Sequence, residues 1–304
     1  MINDFKLPSF FIVGAQKCGT TTLHNLLSQD PRISLPKYKE THFFSTNYDK
    51  GIDWYRKQFS NNKYLLRGEV DPSYIFFPNV FKRIKREIKN PKFIFIFRRP
   101  LDRSYSHYIM SKSRGYEKLS FSDAINKENQ RLKDGKLFSF TNFSYLKRSE
   151  YSIQLNHFFD LFNRENCIFI KFDDLFNKKM NKDKIKYIYD FLDLEFQNNI
   201  DFNIKKNSAS ISKSDFITNN LYNYTFLRQV LRKIIISKNL RYKIKKIIDG
   251  YNRKSINPEL LKMEKIKIFD NLSDSIIDWN NKEVKKIMEI IKIDLTDWYI
   301  NGKF

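Results

Sequence analysis

With 304 residues, 41% of them hydrophobic and 16% aromatic, the chain can bury a full core, which excludes a disordered polypeptide and favours one large domain over two equal ones. Its 56 Lys and Arg against 34 Asp and Glu leave a net charge of +22, so its field attracts anions: nucleic acid, an acidic membrane surface, a polyanionic substrate or a nucleotide. Two cysteines, Cys18 and Cys167, exclude a disulfide framework or cysteine zinc site; with no secretion signal and no apolar run near the about 18 residues of a membrane span, a soluble cytoplasmic protein is expected.

The first element is Ser9-Phe-Phe-Ile-Val-Gly-Ala-Gln-Lys-Cys-Gly-Thr-Thr-Thr-Leu23. Phe10 to Val13 form an apolar β run, Gly14 and Gly19 bound a turn, and Leu23, Leu26 and Leu27 recur at helical spacing through Thr20–Ser28. In such a strand, turn and helix the backbone N–H groups and the helix dipole converge on one point, where an anion is expected. The spacing of Gly14 and Gly19 is that of a Walker-type loop. The position where a nucleotide hydrolase carries its lysine is Thr20, however, and the lysine has moved forward to Lys17.

After Asp30-Pro31 the chain carries Lys39, Glu40 and His42. Glu40 and His42 alternate, so on an extended segment they point to the same side, and either can serve as a base in a desolvated, cationic cleft. A short helix is predicted after Asp53, a strand over Tyr64–Val70 running into the Asp71-Pro72-Ser73-Tyr74 turn, and a basic helix over Val80–Ile88. The run from Pro91 to Phe97 is a fully apolar strand of the kind buried in a parallel sheet. It ends in Arg98, where a metal-dependent P-loop hydrolase ends in a magnesium-binding Asp. A guanidinium fork there points to a second anion and no metal, with Ser106 two turns along the following helix (about Leu101–Lys112) adding a hydroxyl.

These residues resemble the sulfotransferases that use 3′-phosphoadenosine 5′-phosphosulfate, and within them the glycan-modifying branch that includes heparan sulfate sulfotransferases. The resemblance is carried by Gln16-Lys-Cys-Gly-Thr-Thr-Thr-Leu23 and by Arg98-Arg-Pro-Leu-Asp-Arg-Ser-Tyr-Ser-His-Tyr108. It extends through Lys39-Glu-Thr-His-Phe-Phe44, Asn47-Tyr-Asp-Lys-Gly-Ile-Asp-Trp-Tyr55, Gly115–Phe121, Tyr145–Leu155 and Asp294-Leu-Thr-Asp-Trp298. It implies that Lys17, Gly19, Thr20, Thr21 and Thr22 hold the 5′-phosphosulfate and Arg98 and Ser106 the 3′-phosphate, leaving adenosine 3′,5′-bisphosphate as product. Glu40 falls where the heparan-type enzymes carry their catalytic base, and His42 is the rival. The implied chemistry is metal-independent in-line transfer to a hydroxyl or amine of a carbohydrate. Two departures stand out: Val70 replaces a lysine usual in the heparan enzymes, and Lys205–Ala209 matches their disulfide-closed late loop only loosely, without its cysteines.

Downstream, helices over Tyr151–Phe162 and Lys182–Leu192 flank a buried strand, Cys167–Phe172. The expected fold is a single 1–304 domain of α/β class: a P-loop-like three-layer sandwich on a central parallel sheet, with ligands at the carboxyl ends of its strands. Residues 216–254, rich in Lys and Arg, form a basic helical elaboration. Its readings are a solvated cationic face, an acceptor groove for an acidic glycan, or contact with an anionic membrane bearing lipid-linked acceptors. The alternatives to the enzyme are a P-loop kinase or nucleotide hydrolase, opposed by Thr20 and Arg98; a nucleic-acid-binding protein, for which no helix-turn-helix, zinc or RNA-binding signature is found; and a catalytically dead scaffold, opposed by the retained donor-loop residues.

Overall fold

The structure, a computed structural model, describes residues 7–36, 38–59, 66–177, 180–203, 210–223, 225–235 and 237–300. Lys205–Ala209 lies outside them. The chain groups into two compact units, the first made of Met1–Arg103, Arg148–Asn207 and Asn280–Tyr299, the second of Ser104–Lys147, Ser208–Trp279 and Ile300–Phe304.

The first unit is built on five parallel strands, β1 (Phe10–Gly14), β2 (Ile33–Ser34), β3 (Leu66–Val70), β4 (Lys92–Phe97) and β5 (Cys167–Lys171). Their order is β2-β3-β1-β4-β5, with β1 central. Phe11 pairs with Glu69 on one side and Phe93 on the other. The chain first builds outward from β1 toward β3 and β2, then crosses to β4 and β5, so the strand order reverses beside β1, where parallel α/β sheets bind ligands. The apolar strands became interior for the reason their sequence gives. In β4, Phe93, Phe95 and Phe97 alternate with Ile94 and Ile96, and none is more than 1% exposed. Phe93 and Phe95 pack edge-on against Phe158 of the helix Tyr151–Phe159, and Phe95 stacks on Phe169 of β5. This aromatic slab between sheet and helices makes the α/β sandwich.

The second unit is mainly helical. Three successive helices, Asp215–Tyr222, Phe226–Ile234 and Lys238–Asn252, are each started by a hydroxyl: Ser214, Thr225 and Ser237 accept from the backbone N–H three residues on. A short antiparallel ribbon, β6 (Ser210–Ser212) with β7 (Arg253–Ser255), closes the segment. Asn252 fastens the ends together, donating to Thr218 Oγ1 at 2.9 Å and accepting from the Ser214 N–H at 3.0 Å. Elsewhere in the unit Glu117 is an organising buried carboxylate. It accepts from Arg131, from the Tyr145 hydroxyl at 2.8 Å and from two backbone N–H groups. Burial raises its pKa, but these donors outweigh that and hold it below the usual carboxylate value.

Candidate active site at the head of the first helix

The chain leaves β1 at Gly14 and reaches the helix Thr20–Leu27 through a loop capped by Gly19. A Cβ on Gly14 would lie 2.5 Å from Ile75 Cγ2, and Gly19, at φ +85°, would bring one to 3.0 Å from the Phe176 ring. Only glycine lets the backbone pass there. Gly19 contributes no capping side chain, and no acidic residue enters the first turn. The positive end of the helix and its first-turn N–H groups are therefore not met by a carboxylate of their own helix. Thr20 is buried, and Thr21 and Thr22 are half-buried at the same end. Cys18 sits beneath the loop, its Sγ 3.6 Å from the Tyr151 hydroxyl, which donates to the carbonyl of Arg98 at 3.2 Å. The glycine-bounded loop is thus tied to the end of β4. Burial pushes the Cys18 thiol up, which makes it a packing group and not a nucleophile.

Three guanidinium groups gather here. Arg98, half-buried, lies over the Phe172 ring at 4.5 Å. Arg103 is fully buried and donates through Nε to the Ser149 hydroxyl. Arg148, 3% exposed, stacks on Phe76 at 4.2 Å. Cys18 feels the charges of both Arg103 and Arg98, and Arg148 feels that of Arg103. Burial, and then repulsion from Arg103, push the Arg148 guanidinium down to about 9, with Asp71 and Glu40 opposing. Cations held out of water are kept charged by the acceptors and carboxylates around them, here Ser149 for Arg103 and Asp71 and Glu40 for Arg148. This donor set, beside a glycine-bounded helix start, fits a phosphate-type ligand of the kind the sequence implied.

The acid side of the site faces the same group. Glu40 pairs with Lys39, and its charge reaches Arg148 and His24 of the first helix. The His42 backbone N–H donates to Asp71 Oδ2 at 3.0 Å, and ring Nδ1 lies 2.7 Å from the same oxygen. Burial lowers the ring's pKa, but the Asp71 bond and charge outweigh it, and the net shift is upward. That bond fixes the proton on Nδ1. Beneath them lies Glu69 of β3, without solvent exposure, accepting from the hydroxyls of Thr41, Tyr55 and Tyr74. Burial and then Asp71 push Glu69 up to about 7. Tyr74 in turn accepts the Phe44 N–H. Glu69 is therefore the anchor of the segment that presents Glu40 and His42.

Lys17, Gly19, Thr20, Thr21, Thr22, Arg98, Glu40 and His42 all belong to the first unit. Ser106 is half-buried on the helix Pro100–Ser113, in the part that belongs to the second unit. One local expectation changes: Glu40 and His42 do not alternate along an extended segment. Both are left-handed, φ +66° and +52°, as is Lys17 at +74°. The turn is set by tertiary anchors, Asp71 on the His42 N–H and Glu69 on Thr41, which override the local pattern. Sequence reasoning missed Arg103, Arg148, Glu69 and Asp71 as members of the site. The available signal was the pair of acids two apart at the end of a buried strand.

A sequence profile of the sulfotransferase domain matches residues 7–260. The membrane-associated sulfotransferase kil1 of Dictyostelium discoideum is 39% identical over 109 residues, 34% of this chain and 23% of that protein. The human bifunctional heparan sulfate N-deacetylase/N-sulfotransferase 2 is 38% identical over 119 residues, 36% of this chain and 14% of that one. The matches thus span less than a quarter of either relative's length. A solved sulfotransferase from Alicyclobacillus acidocaldarius shares the fold, with a TM-score of 0.66 over 96% of this chain and 99% of that chain at 22% identity. With the profile running from before β1 through the three helices of residues 215–252, the chain belongs to the sulfotransferase domain family.

Proposed function

We propose that the protein transfers a sulfuryl group from 3′-phosphoadenosine 5′-phosphosulfate to a hydroxyl or amine of a carbohydrate. The observation that carries this reading is the glycine-bounded helix start bearing Lys17, set beside Arg98 and the buried Arg103 and Arg148 pair. Bound there, the donor supplies a sulfuryl group activated by its phosphate leaving group. Lys17 and the first-turn N–H groups of Thr20, Thr21 and Thr22 stabilise charge that develops on the oxygens around the breaking bond. Arg98 holds the 3′-phosphate. Glu40 accepts the acceptor's proton, and His42, oriented by Asp71, positions the acceptor. The scheme calls on no metal. A glycan acceptor is supported by the heparan sulfate enzyme among the relatives.

Calorimetric titration with adenosine 3′,5′-bisphosphate, AMP and ATP, with and without magnesium, tests the reading. Selective, magnesium-independent binding of the bisphosphate is expected. Arg98→Ala should then weaken it about 10- to 100-fold, as loss of a charged hydrogen bond does, while leaving AMP unchanged. Preference for magnesium-ATP would return the kinase or hydrolase alternative.

A further inference from the structure

We infer that the outer face of the helices Phe226–Ile234 and Lys238–Asn252 is a docking surface for an anionic lipid bilayer. On the second helix Leu240, Ile244, Ile247, Ile248 and Tyr251 recur at the spacing of one apolar stripe. In a soluble helix that stripe is the buried one. Here Leu240 is 49% exposed, Ile247 59% and Tyr251 78%. The preceding helix repeats the arrangement, with Phe226 82% and Ile234 69% exposed two turns apart on one face. Between the helices Leu231, Ile235, Ile244 and Ile248 line a shallow apolar cavity of about 190 Å³ whose rim carries Arg228, Arg241 and Lys245. The rim cations are held in place: Arg228 donates to the Tyr222 and Asn223 carbonyls at 3.0 Å, Arg241 donates to that of Ile235 at 2.6 Å, and Lys245 sits over the Tyr222 ring at 4.2 Å.

Charge selects the occupant. Residues 225–254 contain ten Lys and Arg and a single acidic residue, Asp249. At 100° per residue, Arg241 and Lys243 fall on either side of the stripe, and the exposed Lys233 falls at the edge of the apolar face of its own helix. A second copy of the chain would bring the same positive field and be repelled. A nucleic acid would answer the charge but leave Leu240, Ile234 and Ile247 in water, since aliphatic side chains offer bases no stacking surface. A bilayer surface with anionic headgroups answers both at once, taking the apolar tips into the headgroup and acyl boundary and the flanking cations onto phosphates. No helix among the described residues is long and apolar enough to cross a membrane, so this contact lies on the surface.

The inference is independent of the sulfuryl-transfer reading, because its test measures only binding. Flotation with vesicles of phosphatidylcholine alone, and of phosphatidylcholine with phosphatidylserine, should retain the full chain on the anionic vesicles only. Phe226→Ser with Ile247→Ser should weaken that retention about tenfold or more. Lys233→Ala with Lys243→Ala should weaken it about fivefold for each charge removed. Lys82→Ala with Lys89→Ala, removing two exposed charges from the first unit, should leave it unchanged. Thermal unfolding should show each variant folded, since every substituted side chain is exposed. Absence of retention, equal retention on both vesicles, or equal losses in the control pair would overturn the assignment. So would a dimer in sedimentation equilibrium that disappears with Phe226→Ser and Ile247→Ser, which would give the face to a second copy.

Discussion

The sheet unit and the helices of residues 215–252 use the same residue types in opposite ways. In the sheet unit, phenylalanines are buried side by side and four of the charges that enter the interior, Glu69, Asp71, Arg103 and Arg148, gather in one place. In the helices of residues 215–252, phenylalanine, isoleucine and tyrosine stand in water among lysines, and no comparable group of buried charges is present among the described residues. Burial of a large apolar side chain is the ordinary result of folding. An interior charge or an exposed apolar stripe departs from it, and each departure marks a place where the molecule meets something else.

The contrast can be broken most sharply at Glu40. Glu40→Gln should lower turnover by about 10² to 10⁴ while leaving affinity for adenosine 3′,5′-bisphosphate intact. If His42→Ala does this and Glu40→Gln does not, the base is His42. In the aromatic slab, Phe95→Ala should cost about 3 to 5 kcal/mol in denaturant unfolding; a loss under 1 kcal/mol would mean that the sheet core is not what holds this unit together.

A smaller effect, of at most about 3 kcal/mol, should appear in the pH dependence of stability. Glu69 holds its proton to about 7 in the fold against 4.5 ordinarily. The folded state therefore binds a proton that the unfolded chain has released, and stability falls as pH rises from about 4.5 to about 7. The raised His42 adds a contribution that is fully present below 6.5 and lost as pH climbs through its folded value. The two slopes have the same sign. Glu69→Gln should flatten the first, read as melting temperature between pH 5 and 8; an unchanged slope would remove Glu69 as its source. Smallest of all, Phe226→Ala in the exposed face should change stability by no more than about 0.5 kcal/mol. A loss comparable to that of Phe95→Ala would erase the distinction between the units.

How much of this was legible in the sequence follows the same division. The strands were readable because Phe10–Val13, Phe93–Phe97 and Cys167–Ile170 are apolar runs too short for interior helices. The glycine-bounded loop between β1 and the first helix was readable because two glycines and a lysine at fixed spacing have a local mechanism. Arg103 and Arg148 were not, since nothing within a few residues of either shows that distant segments will close over it, and the only hint of Glu69 was its spacing of two from Asp71 at the end of a buried strand. The helices of 216–254 were readable as helices. Which face they bury was not, because periodicity reports a stripe and tertiary packing decides whether it is covered.

The left-handed backbone at Lys17, Glu40 and His42 has a consequence for anyone improving this protein. These are three of the six non-glycine residues with positive φ among the described residues, and each conformation costs an ordinary side chain about 1 kcal/mol or more. Glycine or asparagine would relieve that cost. A screen for heat resistance would therefore be drawn to the very positions proposed above to carry the chemistry, and under that proposal its most durable winners would be inert.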